Sequence, residues 1–348
     1  MKVVMDEKIP FLRDALLAMG HTVVALPGVA ISHSDVKDAD ALFVRTRTEC
    51  NASLLSGSNV RLIGTATIGY DHIDSEYCAK NNIRWVSAPG CNADAVLQYV
   101  QSSIYCWVQE KNRSLDGLTL GIVGVGEIGR RIARWAQSIG LNLLLNDPPR
   151  ALAECSDKFV SLSEIAEKCD IITFHPTLSR DGAFPSYHLA DEAFFRSLRR
   201  CPLFINASRG PVVDNAALVE AIDNNLVCDA VVDVWENEPD INLELLEKAF
   251  IATPHIAGYS AEGKLNASRM MLEAFVDFFS CGDDAPTIAL PALSDSLIVS
   301  ATLPEALLSI YSPLSDTAVL KNSPSTFEKQ RNNYRLRREP SAFKIEIK

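Results

Sequence analysis

Leu120-Gly121-Ile122-Val123-Gly124-Val125-Gly126-Glu127-Ile128-Gly129 decides the fold: an apolar run breaks into Gly-x-Gly-x-x-Gly, and the next apolar run, Leu141 to Leu145, closes on Asp147. Strand, glycine turn, helix, strand and acid in that order are the fingerprint of a dinucleotide-binding βαβ unit. Gly124 permits the tight turn, Gly126 lets the backbone approach a pyrophosphate, and Gly129 lets a helix over Ile128–Ser138 pack closely on the sheet. Glu127 and Ile128 fill the same turn. A carboxylate at Asp147 accepts hydrogen bonds from both ribose hydroxyls and repels a 2′-phosphate, which favours NAD over NADP. Arg150, reached through Pro148 and Pro149, keeps NADP open as an alternative. Its plainer readings are a solvated turn residue or a pyrophosphate contact.

Working outward, 348 residues are enough for two or three domains, each with its own core. A composition that is 47% hydrophobic and 22% charged is that of an ordinary soluble globular chain. A net charge of −11 argues against a nucleic-acid or anionic-membrane surface, because the averaged field repels polyanions. Any phosphate site must therefore be locally basic. The start, Met1-Lys2-Val3-Val4-Met5-Asp6-Glu7, meets acids at once and does not read as a signal peptide. No stretch approaches the ~20 uninterrupted apolar residues of a membrane helix. Nine scattered cysteines without a Cys-x-x-Cys pair fit reduced thiols, so the expected compartment is the cytoplasm, with no metal site.

The segment before the fingerprint also alternates strands and helices. Lys2–Met5, Thr22–Ala25, Ala41–Val44, Arg61–Gly64 and Arg84–Ser87 read as short strands, with helices near Leu12–Met19 and Asp74–Lys80. Asn92 reads as the cap of a long helix running to about Lys111. Beyond the fingerprint, Ile171–Phe174, Leu203–Asn206, Ala230–Val234 and Phe250–Ala252 complete a second doubly wound sheet, and Glu262–Phe279 reads as another long helix. The expected class is α/β, with two doubly wound parallel-sheet domains of Rossmann and flavodoxin-like type. The expected boundaries are 1–98 with 264–282 for a discontinuous first domain, 99–263 for the dinucleotide domain, and 283–348 for a small C-terminal α+β module. The arginines of that last segment, Arg331, Arg335, Arg337 and Arg338, read as a solvated basic face, with reach into a neighbouring subunit's site, should the module dimerise, as the alternative.

Three post-strand loops carry the chemistry. Asn206-Ala207-Ser208-Arg209-Gly210, Asp233-Val234-Trp235-Glu236-Asn237-Glu238-Pro239 and Thr253-Pro254-His255-Ile256-Ala257-Gly258 each follow a strand, and such loops face one crevice in an open parallel sheet. Arg209, Glu238 and His255 can therefore converge. A guanidinium binds a substrate carboxylate by two parallel bonds, an imidazole accepts or returns a hydroxyl proton, and a carboxylate fixes the imidazole tautomer. Hydride transfer at a 2-hydroxy acid needs all three roles. Neither His72 nor His188 has ligand spacing, and both read as structural.

On these motifs the chain resembles the D-isomer-specific 2-hydroxyacid dehydrogenases. A narrower match within that family rests on Gly64-Thr65-Ala66-Thr67-Ile68-Gly69-Tyr70-Asp71-His72, Ala88-Pro89-Gly90-Cys91-Asn92-Ala93, Asp147-Pro148-Pro149-Arg150, His188-Leu189-Ala190-Asp191-Glu192, Pro254-His255-Ile256-Ala257-Gly258-Tyr259 and the stretch from Gln330 to Glu339. The resemblance implies NAD-dependent oxidation of a phosphorylated 2-hydroxy acid, 4-phospho-D-erythronate, to 2-oxo-3-hydroxy-4-phosphobutanoate, a step toward pyridoxal phosphate. It implies His255 as acid/base, Glu238 as its partner and Arg209 as the carboxylate clamp. It further implies cofactor contacts at Thr177, Ala207, Ser208, Asp233 and Gly258, substrate contacts at Thr46, Thr67 and Tyr259, and a homodimer joined through the last module.

A phosphorylated substrate needs extra cations. Arg45 and Arg47 flank Thr46 at a strand end, and strand alternation would send both the same way, toward the phosphate. Two departures from the family pattern stand out. His175-Pro176-Thr177-Leu178 moves a proline one place early, and the ending Ser341 to Lys348 is short, so Ile345 and Ile347 are expected on an unpaired edge. A sister dehydrogenase acting on phosphoglycerate or glyoxylate, and a non-catalytic NAD(H)-sensing protein, remain open as alternatives.

Overall fold

The computed structural model describes residues 1–281 and 286–348, which fall into two compact units. The first comprises Met1–Asn92 and Ser260–Ser294. Its sheet has five parallel strands, β1 (Lys2–Asp6), β2 (Thr22–Leu26), β3 (Ala41–Val44), β4 (Leu62–Thr65) and β5 (Arg84–Val86), in the order β2-β1-β3-β4-β5. β3 and β4 are buried at every position, which is why they read as unbroken apolar runs: helices cover both faces of a parallel sheet. Alternation divides the side chains. Val3, Met5, Ala41 and Phe43 pack on one face with Leu12, Leu16, Leu265, Met271 and Phe275. Val4, Leu42, Val44 and Ile63 pack on the other with Val36, Leu54, Leu55 and Cys78. The helix Ala261–Phe279 starts where the Ser260 side chain accepts from Gly263 N–H at 2.9 Å, a cap of the kind that contributes about 1 kcal/mol.

The second unit comprises Ala93–Tyr259 and Asp295–Lys348. Its strands β6 (Thr119–Val123), β7 (Asn142–Asn146), β8 (Ile171–Phe174), β9 (Leu203–Asn206), β10 (Asp229–Val232) and β11 (Ile251–Ala252) form one parallel sheet in the order β11-β10-β9-β8-β6-β7. A single parallel bridge, Leu145 to Phe159, extends the β7 edge. The strand order reverses between β6 and β8, and the glycine turn lies at the carboxyl end of β6, the switch-point position at which open sheets bind nucleotides. The helix Ala93–Glu110 buries Tyr99, Val100, Ile104 and Trp107 against one face of the sheet. Asn92 does not cap it: its Oδ1 is buried without a hydrogen-bond partner.

Residues 295–348 group with this unit because they share its cores. Leu307 and Tyr311 join the core on one face of the sheet, and Leu320 and Phe327 join the core on the other. The divisions fall at 92/93, 259/260 and 294/295. The terminal strand β13 (Lys344–Ile347) pairs in parallel with β12 (Leu297–Ser300), so Ile345 lies opposite Ile298. Leu297, Val299 and Ile347 on this small sheet are exposed. No helix among the described residues is long and apolar enough to cross a membrane, and all nine cysteines are free thiols.

Candidate active site

The glycine turn is shaped by contact on two sides and openness on the third. Gly124 has φ +85°, and a Cβ there would stand 2.5 Å from Pro176 N and 2.6 Å from His175 C, so only glycine fits. A Cβ on Gly129 would meet Gly124 O at 2.2 Å, whereas one on Gly126 would meet nothing within 4 Å. The open position is the N-cap of the helix Glu127–Ser138, and glycine offers its first N–H groups no side-chain acceptor. A phosphate-bearing dinucleotide fits this arrangement, a helix start without a side-chain cap beside open space at Gly126. Glu127, in the first turn, is turned aside by Arg131 and Arg130, whose hydrogen bonds hold its carboxyl below the usual value.

Asp147 sits at the end of β7 as expected, and it has a structural duty as well. Its Oδ2 accepts from Val125 N–H at 2.8 Å, bracing the glycine turn, and its Oδ1 accepts from Arg150 N–H at 3.1 Å, capping the next helix. A carboxylate offers about four acceptor sites, so room remains for ribose hydroxyls. Arg150 is engaged elsewhere: it pairs with Glu154 at 2.6 Å, donates to Val125 O and lies over the Phe159 ring.

The three catalytic candidates all belong to the second unit. Asn206, the last residue of β9, builds the first loop: its Oδ1 accepts from Ser208 N–H and Oγ, and its Nδ2 donates to Arg209 O. Ala207 and Ser208 are both buried by this fold-back. Arg209 donates from its guanidinium to Ser208 O at 2.8 Å. Gly210 presses against the next loop, since a Cβ there would lie 1.8 Å from Trp235 O. Reciprocal bonds between Asn215 and Glu236, with His188 on Glu236 at 2.7 Å, lock the same two loops and explain why His188 is structural.

His255 and Glu238 meet. His255 Nδ1 lies 2.8 Å from Glu238 Oε2, and Glu238 Oε1 accepts from Trp235 N–H at 2.9 Å. Burial works to raise the Glu238 carboxyl, but the adjacent His255, the hydrogen bonds from His255 and Trp235 N–H, and Arg331 outweigh it and hold the group below the usual glutamate value. An ionised Glu238 makes Nδ1 the protonated nitrogen of neutral His255 and leaves Nε2 as the base.

Beneath His255 lies Asp233, 1% exposed. Its carboxylate accepts from the Thr253 hydroxyl at 2.6 Å, from Ile256 N–H at 2.8 Å and from Ala257 N–H at 3.0 Å, and Tyr99 bonds Thr253 in turn. Burial pushes this carboxyl up, while His255 and the three hydrogen bonds pull it back. In this structure Asp233 holds the loop that presents His255, which adopts φ +57°.

The sequence reading missed the C-terminal contribution. Arg337 is 8% exposed, not solvated. It donates to four backbone carbonyls, those of Ala95, Ile256, Ala257 and Tyr259, and to Gln98 Oε1, with Tyr311 stacked on its guanidinium. The His255 loop is thus gripped at its N–H groups by Asp233 and at its carbonyls by Arg337. Arg331 reaches Glu238 at 3.6 Å and the Tyr259 hydroxyl at 3.3 Å. Arginines spaced 331, 335, 337 and 338 give no periodic signal that two of them turn inward.

The remaining candidates are placed as follows. Thr177 is exposed on the loop after β8, its carbonyl accepting from Ser186 Oγ at 2.6 Å. Gly258 is half-buried between the Asp233-held and Arg337-held residues. Arg45, Thr46, Arg47 and Thr67 belong to the first unit, where Thr67 bonds Thr65 and Gly69 O. Strand alternation does not align Arg45 with Arg47, because β3 ends at Val44 and the chain turns, Thr48 N–H donating to Arg45 O. Among the described residues, no group of three or more His, Cys, Asp or Glu could hold a metal.

His175, beside the glycine turn, carries a measurable pH signature. Its Nε2 bonds Thr173 at 2.7 Å, its Nδ1 is buried without a partner, and burial lowers it to about 3. The folded state therefore holds His175 neutral where the unfolded chain protonates it, so stability is full above the unfolded value of 6.5 and falls as pH drops from there toward 3. Buried His72 adds in the same direction. The expected result is an unfolding free energy that declines between pH 6.5 and 5 with a slope reduced in His175→Asn by up to about 1.4 kcal/mol per pH unit. Urea titrations at several pH values measure this, and equal slopes would contradict it.

The model for the D-isomer specific 2-hydroxyacid dehydrogenase NAD binding domain matches residues 93–257. The chain is 50% identical over 345 residues to an erythronate-4-phosphate dehydrogenase of Bacteroides thetaiotaomicron, covering 99% of each. It is 42% identical to that of Porphyromonas gingivalis, covering 99% of this chain and 95% of the relative. Among solved structures, NAD+-bound 3-phosphoglycerate dehydrogenase of Entamoeba histolytica superposes with a TM-score of 0.68 at 25% identity, covering 80% of this chain and 95% of that one. D-Lactate dehydrogenase of Aquifex aeolicus, complexed with NAD and lactic acid, superposes with a TM-score of 0.63 at 24% identity over 80% and 96%, a likeness of fold.

Proposed function

The chain belongs to the D-isomer-specific 2-hydroxyacid dehydrogenases, in their erythronate-4-phosphate dehydrogenase branch, and from that premise we propose that it oxidises 4-phospho-D-erythronate to 2-oxo-3-hydroxy-4-phosphobutanoate. The observation that carries the chemistry is the 2.8 Å contact between His255 Nδ1 and Glu238. NAD supplies the hydride acceptor when bound, held by the open helix N-terminus at Gly126 and by Asp147. His255 Nε2 accepts the proton of the substrate 2-hydroxyl as the carbonyl forms, and Glu238 stabilises the resulting imidazolium. Arg209 clamps the substrate carboxylate through its guanidinium fork. The contacts assigned to Ala207, Ser208, Asp233, Gly258 and Thr177 with the cofactor, and to Thr46, Thr67 and Tyr259 with the substrate, are part of the same proposal.

Arg45 or Arg47 is proposed to read the terminal phosphate, and the test separates substrate from family. Purified protein is assayed by nicotinamide absorbance with NADH and 2-oxo-3-hydroxy-4-phosphobutanoate, its dephosphorylated analogue, 3-phosphohydroxypyruvate or glyoxylate. The four-carbon phosphorylated oxoacid is expected to be preferred. Arg45→Ala or Arg47→Ala is expected to cost about 1.5–3 kcal/mol of kcat/KM, roughly 10- to 150-fold, with that substrate and little with the dephosphorylated one. Preference for another oxoacid would overturn the substrate, and binding of NADH without turnover would favour a sensor. We further propose a cytoplasmic homodimer. The exposed Leu297, Val299 and Ile347 on the β12–β13 sheet support association, and a monomer mass by sedimentation at micromolar concentration would count against it.

A further inference from the structure

We propose that Arg331, contributed by the C-terminal segment, is a positioning residue for the acid/base pair, setting its protonation through Glu238. The inference rests on the reading of His255 and Glu238 as that pair. Arg331 comes from the short helix Phe327–Asn332, whose Phe327 is buried in the core of the second unit, so its backbone is anchored. Its guanidinium lies 3.6 Å from Glu238 Oε2, the oxygen that also contacts His255, and its Nε donates to the Tyr259 hydroxyl at 3.3 Å. It thus touches the partner of the acid/base and, four residues beyond His255, the end of the loop that bears it.

The site is guarded from water enough for charge to matter, since the side chains of Arg331 and Glu238 are 22% and 16% exposed. Glu238 is faced by His255 and Arg331, and His255 also by Asp233 beneath its loop. Arg331 is faced by Glu238, by Tyr259 and by Glu328 at 4.0 Å. A cation beside Glu238 Oε2, the oxygen it shares with the imidazole, opposes proton uptake by the pair as a whole. The pair and its cation titrate as one coupled system, and a pH–rate profile reports that system.

Removing the charge reverses this. In Arg331→Met the pair binds protons more tightly, so the acid limb of kcat/KM for hydroxy-acid oxidation moves to higher pH, by on the order of one unit. At pH values below both limbs this reads as about a tenfold loss, vanishing above them. Arg331→Lys keeps the charge and is expected to return the limb to its wild-type position. Arg331→Gln, which keeps a donor toward Tyr259, guards against a folding defect in the methionine variant.

The experiment records kcat/KM against pH from 5 to 9 for the wild type and the three variants. In parallel, the rate at which diethyl pyrocarbonate modifies His255 is followed against pH, with His255→Asn as the blank. The second readout needs no turnover. If His255 proves dispensable for turnover, the acid/base reading fails on its own account. If turnover depends on His255 but both profiles stay in place in Arg331→Met and Arg331→Gln, the role of Arg331 is overturned. A uniform loss of rate at every pH, or failure of both variants to fold, would make Arg331 a structural residue only and overturn it equally.

Discussion

Replacing His255 with asparagine lowers turnover by about 10³- to 10⁴-fold and leaves NADH binding intact. Asparagine is the informative choice because residue 255 sits at φ +57°, a conformation that asparagine tolerates better than alanine. The loss lies in the upper part of the roughly 10²- to 10⁴-fold that a positioned general base contributes, because water must then take the hydroxyl proton without alignment. Cofactor binding survives because the open helix N-terminus and Asp147 are built from other loops. Glu238→Gln is expected to lose less, about 10²-fold, since it keeps an acceptor for Trp235 N–H but no longer stabilises an imidazolium. The double variant should lose little more than His255→Asn, because the two act as a unit. Steady-state kinetics with fluorescence titration of NADH checks all three. Turnover in His255→Asn within tenfold of wild type would remove His255 from the mechanism.

Gly210→Ala is the second large effect, and it comes from space rather than chemistry. The added Cβ would stand 1.8 Å from Trp235 O, 2.0 Å from Trp235 C and 2.7 Å from Glu236 N, all backbone atoms. Trp235 cannot yield, because its indole is 2% exposed and donates to Thr253 O at 3.0 Å. Either the Arg209 loop moves off the Glu238 loop, or the core under Trp235 opens. The cost is about 3 kcal/mol, the upper range for overpacking, and roughly 6 °C or more in melting temperature. Gly126→Ala is the comparison: its Cβ meets nothing within 4 Å, so it should melt like wild type and lose cofactor affinity instead. A Gly210→Ala enzyme with unchanged melting temperature and kcat would show that the two loops are not in register.

The difference between the two glycines shows where sequence reading has reach. Gly124, Gly126 and Gly129 announce themselves by spacing, because the turn that binds a dinucleotide is local and its requirements fall within one short segment. Gly210 carries no such mark. Its partner, Trp235, is distant in sequence and becomes a neighbour only through the β9–β10 pairing. Arg331 and Arg337 are the same lesson in charge. Read along the chain they form a basic face, and only folding brings Arg337 onto four carbonyls and Arg331 onto Glu238.

By itself the sequence determined the two parallel sheets, the glycine turn with Asp147, and the loops bearing Arg209, Glu238 and His255. Alternation, glycine spacing and the position of a loop after its strand are properties of neighbouring residues. The tertiary structure alone decided that Asp233 buries itself under the His255 loop, that Asn92 Oδ1 caps nothing, and that Arg337 and Arg331 turn inward onto that loop and Glu238. Those outcomes depend on which distant groups compete for the same few hydrogen-bonding positions once water has been excluded, and that competition has no expression in local pattern.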